Sequence, residues 1–249
     1  MAEIPVELGQ GKVRMETQRG CPYRCTFCAH RDLQRNKVYK HTRERALEEF
    51  ALFNAKRVRK INVVDPVFNA GKDYLWILQK LLEMRPDFAI ALQTRFENIR
   101  GDQGAKFLEL CGALNVCLEF GLQSVIHEEC AAINRRNETG HIRSVLSLLN
   151  DNGIKYEVSL IYGLPRQTVR SFEESVEFLR RDGCKVIKAF PLMLLKGTEL
   201  CAQKELWGFR EEAIGPYHIP LVVSSSSFDE HEWGEMKALA DSLGHVERY

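Results

Sequence analysis

An alternation of strand-like and helix-like segments limits the fold of this chain more than any other feature. "KVRMETQRG" has strand character, and the following "TRERALEEFALFNAK" carries Ala46, Leu47, Phe50 and Phe53 at helical spacing. The pattern recurs as "KINVVDPVF" with "GKDYLWILQKLLEMR", and as "FAIALQTR" with "GAKFLELCGAL". "VCLEFGLQS" comes next, followed by "VIHEECAAINRRNETG", helical in part, and by "HIRSVLSLLNDNG", a helix stopped at Asn152-Gly153. "KYEVSLIYGLP" with "TVRSFEESVEFLRRDG" and a last strand, "KVIKAFPLMLL", complete six units. Strands that alternate with helices in this way predict an α/β fold with a parallel sheet and outer crossover helices. Six units are too few for an eight-fold barrel, so the expectation is a partial (β/α)6 barrel. It reads as a single domain over residues 1–249, with a core of about 10–200 and a helical C-terminal tail over 201–249. The tail contains Trp207, Tyr217 and Trp233, and the serines Ser224 to Ser227 mark a loop before its last helix.

Charge excludes more than it suggests. Thirty-five basic and 34 acidic residues leave a net charge of +1, so no global footprint points to nucleic acid or an anionic membrane. No apolar run approaches the roughly 20 residues of a membrane helix, and "MAEIPVELGQ" lacks the features of a signal peptide. The expected location is the cytoplasm. Five of the eight cysteines, Cys111, Cys117, Cys130, Cys184 and Cys201, are scattered in mostly apolar surroundings and read as small core residues.

The other three stand together in "RGCPYRCTFCAH", as Cys21, Cys25 and Cys28. They follow the first strand directly, which in a barrel places them at the C-terminal rim where active sites are built. Zinc would want a fourth ligand, for which His30 and His41 are candidates. An iron–sulfur cluster is held by thiolates at similarly short spacings, and three thiolates on four irons leave one iron open to a ligand.

Cys21-Pro-Tyr-Arg-Cys25-Thr-Phe27-Cys28 resembles the three-cysteine signature of radical S-adenosylmethionine (SAM) enzymes, including the aromatic residue before the last cysteine. The resemblance implies a 4Fe-4S cluster whose unique iron is chelated by SAM. It also implies an external electron donor, whose electron cleaves SAM to methionine and a 5′-deoxyadenosyl radical that abstracts hydrogen from substrate. After the second strand, Asp65, Phe68 and Asn69 in "VVDPVFNAG" resemble the form seen in the cobalamin-related branch, where this segment meets the SAM amino group. Asp65 before a proline also suits an ordinary strand-ending turn. "LEFGLQS", with Glu119, Gly121, Gln123 and Ser124, matches a recurrent pattern in which Gln123 approaches the ribose hydroxyls and Ser124 the adjoining backbone. Arg135 resembles the arginine that meets the SAM carboxylate, a task suited to a bidentate guanidinium.

The third strand offers Gln93 and then Arg95 where relatives carry an acid near the ribose. An amide can still bond a hydroxyl. In "SLIYGLPRQT", Tyr162 or Leu164 is expected to pack on adenine, while Ser159 replaces a frequent aspartate. The chain shows no cobalamin domain before the barrel and no second cysteine cluster, so methyl transfer by cobalamin from this polypeptide alone is not expected. The resemblance therefore points to modification of a ribosomally made peptide by epimerisation, crosslinking or backbone excision, with a separate leader-binding partner. A small-molecule substrate of secondary metabolism and a non-catalytic metal-binding protein are the alternatives.

Overall fold

Alternate residues from Val116 to Gln123 are buried, namely Val116, Leu118, Phe120 and Leu122. That is the period of a strand with one face packed under helices. The structure, a computed structural model, describes residues 11–30, 37–214 and 218–244, so Tyr217 lies outside the described residues. In chain order the elements begin with β1 (Lys12–Met15), the two-residue strands β2 (Gln18–Arg19) and β3 (Tyr39–Lys40), α1 (Arg43–Ala55) and β4 (Lys60–Val63). They continue with α2 (Tyr74–Met84), β5 (Ala89–Thr94), a 3-10 turn (Phe96–Asn98), α3 (Gly101–Ala113) and β6 (Val116–Gln123). Next come α4 (His127–Ala132), α5 (Thr139–Asp151), β7 (Lys155–Tyr162), α6 (Val169–Arg181) and β8 (Ile187–Pro191). The last elements are α7 (Glu199–Ala202), β9 (Arg210–Ile214), β10 (Ile219–Ser224) and α8 (Glu230–Ser242).

The main sheet has the order β1-β4-β5-β6-β7-β8, and every pair in it is parallel. Helices make the crossovers. Strand order thus follows chain order, as expected for a partial barrel, and the six strands anticipated from sequence are the six of this sheet. Helix starts have local causes. The Thr42 hydroxyl accepts from Arg45 N–H at α1, and Thr168 and Ser171 form a capping box at α6.

The core lies between the sheet and its helices and includes Phe50, Phe88, Phe107, Leu118 and Phe172. Cys184 belongs to it and Cys130 is buried as well, and burial pushes each thiol up to about 11. The tail departs from expectation. Instead of being wholly helical, it contains an antiparallel β9–β10 ribbon before α8. The ribbon continues the sheet's edge region through Val222 N–H to Leu192 C=O and Leu194 N–H to Pro220 C=O, at 3.0 and 2.9 Å.

Candidate active site

Gly20 sets the approach to the cysteines. Its φ of +93° and a backbone oxygen 2.5 Å from where a Cβ would sit leave no room for a side chain. Cys21 and Cys25 are then buried, and Cys28 is half-buried. None of the eight cysteines is in a disulfide. Burial raises the Cys21 pKa, and the two neighbouring thiols add to the rise.

Asp65 anchors the start of this loop. Fully buried after β4, its carboxylate accepts from Thr17 N–H (2.7 Å), Gln18 N–H (3.1 Å) and the Thr17 hydroxyl (2.5 Å). Thr26 ties the far end down. Its N–H donates to Ile133 C=O, just past α4, and its C=O accepts from Leu200 N–H on α7. Asn134 Nδ2 adds a bond to Arg24 C=O at 2.8 Å.

The three cysteines line one cavity of about 330 Å³ at the C-terminal ends of the strands. Gln93, Glu119, Gly121, Gln123 and Arg135 also line it. Strand parity explains the grouping, because Gln93, Glu119 and Glu157 are register partners across β5, β6 and β7. Gln123 has the same parity as Glu119 and Gly121 and lines the cavity with them, beside a register shift between Gly121 and Gln123 where its φ is +73°. A Cβ at Gly121 would stand 2.7 Å from Gln123 Nε2, so a side chain there would push the Gln123 amide out of its present position.

Two buried polar atoms on the wall have no protein partner among the described residues, Gln123 Oε1 and Arg135 Nε. Arg135 is otherwise engaged, with one terminal nitrogen 2.6 Å from Gly121 C=O and 4.0 Å from Glu97. Burial, and then Arg95, lower its pKa. An anionic ligand would satisfy both the charge and the free donor.

Sequence reasoning missed a second layer. Arg95 is 7% exposed, pairs with Glu97 at 2.5 Å, and lies over the Tyr23 ring at 3.7 Å. Burial works against ionisation of Glu97, but hydrogen bonding and charge from Arg95 hold its carboxyl below the usual range. On the cavity floor, Lys188 pairs with Glu157 at 2.7 Å. Glu119 has no ion pair within 4 Å among the described residues, and burial followed by the Glu157 charge raises its pKa. A raised folded pKa means that the folded state favours the protonated acid, so the stability it confers is present below the unfolded value and is lost as pH rises through the folded one. Glu119→Gln should therefore raise the melting temperature at pH 7–8, and the difference should vanish below the ordinary 4.5 of glutamate. Thermal scans across that range check this.

Five residues expected near SAM stand outside the cavity lining. Asp65 is occupied as described, and Phe68, 2% exposed, meets Tyr74 of α2 edge-on. Ser124 is fully buried, and its hydroxyl accepts from Ile126 N–H. Tyr162 points to the helix side, against Phe172 and Trp233, where burial raises its hydroxyl pKa. Leu164 is fully buried in the turn that Gln167 holds, with Gln167 Oε1 accepting from Gly163 and Leu164 N–H at 2.7 and 3.1 Å. Of the two histidines weighed as zinc ligands, His30 lines the cavity, whereas His41 lines a separate crevice beside Arg43 and Asp73. Among the described residues no three His, Cys, Asp or Glu side chains converge closely enough to hold a single metal ion. No helix among the described residues is long and apolar enough to cross a membrane.

Known proteins resemble this chain in sequence and in fold. The cobalamin-dependent radical SAM methyltransferase TokK of Streptomyces tokunonensis is 26% identical over 174 residues, covering 68% of this chain and 25% of TokK. The methyltransferase TsrM of Kitasatospora setae, solved with tryptophan and a SAM analogue, superposes with a TM-score of 0.78 at 15% identity, over 94% of this chain and 52% of TsrM. It has also been solved with cobalamin and a [4Fe-4S] cluster. Streptococcus suis SuiB, solved bound to its precursor peptide SuiA, superposes with a TM-score of 0.56 at 13% identity, over 72% of this chain and 38% of SuiB. The chain thus spans a quarter to about half of the lengths of these relatives. The family model described as the radical SAM superfamily matches residues 15–179, more than half of the sequence. With three thiols at the mouth of a six-stranded parallel sheet, the chain belongs to the radical SAM superfamily.

Proposed function

We propose that this radical SAM enzyme holds a 4Fe-4S cluster on Cys21, Cys25 and Cys28, binds SAM beside it, and acts on a ribosomally made peptide. One observation carries the cofactor assignment: the three thiols share a single cavity with a guanidinium and an amide that each keep one buried polar atom, Arg135 Nε and Gln123 Oε1, without a partner among the described residues. Those groups fit the ligand. Arg135 Nε suits the SAM carboxylate, and Gln123 and Gln93 suit its ribose hydroxyls, since amides can accept and donate. Bound together, cluster and SAM supply the oxidising radical that takes a hydrogen atom from substrate. The residues of the chain bind and orient. Asp65, Phe68, Ser124, Tyr162 and Leu164 support the walls from behind.

The peptide assignment is supported by the shared fold of SuiB, which binds one, and by a cavity at the strand ends whose floor mixes the charged Glu119, Glu157 and Lys188 with the apolar Phe190. The leader of such a peptide would be delivered by a separate binding protein, and the electron by an external donor.

The test is anaerobic reconstitution followed by iron and sulfide analysis, 5′-deoxyadenosine quantification and mass spectrometry of a candidate peptide. About four irons with sulfide, nucleoside formation and a changed peptide mass are expected. Zinc without sulfide would overturn the cofactor assignment, and an unchanged peptide during SAM cleavage would overturn the peptide assignment. Arg135→Leu should retain iron yet weaken SAM binding about 10- to 100-fold, the worth of one charge-assisted bond to a buried partner. Equilibrium dialysis with labelled SAM measures this.

A further inference from the structure

Arg95 reaches the cysteine loop directly, with Nη1 3.8 Å from Cys25 Sγ. Its guanidinium is fixed from several sides. The backbone N–H donates to Asn69 Oδ1 at 3.1 Å, and Asn69 Nδ2 returns a bond to Arg95 C=O at 3.0 Å. The ring of Tyr23, held by its hydroxyl bond to Asn98 Oδ1 at 2.6 Å, covers one face of the guanidinium. Glu97 receives two of its nitrogens, Nη2 at 2.5 Å and Nε at 3.3 Å. The remaining nitrogen, Nη1, points at Cys25 Sγ, 3.8 Å away.

From this geometry we infer that Arg95 and Glu97 form an oriented charge pair that tunes the reduction potential of the cluster held by Cys25. The inference rests on the cofactor assignment above and deepens it. The physical argument is one of sign. Reduction adds one electron to a centre already made negative by its thiolates, and an external low-potential donor supplies that electron. Hydrogen bonds and positive charge at a ligand sulfur stabilise the more negative state and raise the potential. The pair presents its cationic end to Cys25, while Glu97 stands behind and moderates it. Because Arg95 is buried, water screens little of this field.

Opposite substitutions should therefore move the potential in opposite directions. Arg95→Gln removes the cation and leaves the Glu97 charge, so the midpoint should become more negative. Glu97→Gln keeps the cation and removes its moderator, so the midpoint should become less negative. Arg95→Lys, with charge but no planar fork, should fall between wild type and Arg95→Gln. The measurement is a dithionite titration of anaerobically reconstituted protein, followed by the electron paramagnetic resonance signal of the reduced cluster.

Opposed shifts support the inference. Unmoved midpoints, or shifts of the same sign in the Arg95→Gln and Glu97→Gln proteins, overturn it, because a packing role alone would disturb the site alike. Should Arg95→Gln fail to retain iron, the Arg95→Lys and Glu97→Gln proteins carry the same comparison. A wild-type protein that assembles no iron–sulfur centre would instead overturn the cofactor assignment, and the inference with it.

Discussion

Cys28→Ala is expected to abolish 5′-deoxyadenosine formation and to remove most of the iron–sulfur absorbance, while leaving the fold intact. Cys28 is the most accessible of the three thiols, and its sulfur accepts from His30 N–H at 3.4 Å. Unlike Cys21 and Cys25, it is not among the buried core residues, so its truncation leaves little cavity behind. A centre missing one of three thiolates has two protein ligands, too few to retain the metal through gel filtration. Circular dichroism should match wild type, with iron analysis and nucleoside chromatography as the decisive readouts. Undiminished nucleoside would exclude Cys28 as a ligand.

The second large effect is on stability. Asp65→Ala strands two buried backbone N–H groups and a threonine hydroxyl, and should cost about 3–5 kcal/mol in urea unfolding. Asp65→Asn should recover most of that. One amide oxygen can accept both N–H groups, as Oδ1 does, and the hydroxyl of Thr17 can turn to accept from the amide nitrogen. Burial raises the Asp65 pKa against the lowering by its three hydrogen bonds, so the fold disfavours the charge there and a neutral isostere fits. Equal destabilisation by both substitutions would contradict this account. In the alanine protein, iron content should also fall, because Thr17 and Gln18 begin the segment that leads to Cys21.

The main sheet was readable in the sequence because short apolar strands, with clear one-face alternation in β6 and β7, are separated by crossover helices that repeat apolar residues at helical spacing. The β9–β10 ribbon was not. "REEAI" has no apolar alternation, and β9 is a strand only because β10 pairs with it. At the cavity, strand parity separates the expected residues from one another. On β7, Glu157 and Ser159 face inward, so Tyr162, of opposite parity, joins Val158 and Leu160 under the helices. On β6 the same count sends Gln123 inward with Glu119 and Gly121, whereas the register shift beside Gly121 and the positive φ of Gln123 left no mark in that periodicity. Arg95 and Glu97 left no trace in either signal. They lie past the end of β5, at the entry to a 3-10 turn where neither the strand nor the helix period applies, and a direct ion pair, with the Tyr23 ring over the guanidinium, makes them a unit.

Thr26 has a wider meaning. Its two backbone bonds join segments more than a hundred residues apart in one case and more than a hundred and seventy in the other, since Ile133 C=O accepts from its N–H and Leu200 N–H donates to its C=O. The cysteine loop at the first edge of the sheet is thereby stitched to the polypeptide that leaves the last strand. Fluctuations that open either one must release the other, so the loop and α7 should melt as one cooperative unit. Oxygen or chelators would then reach the thiols at a rate set by how tightly a distant, late-sequence helix stays docked.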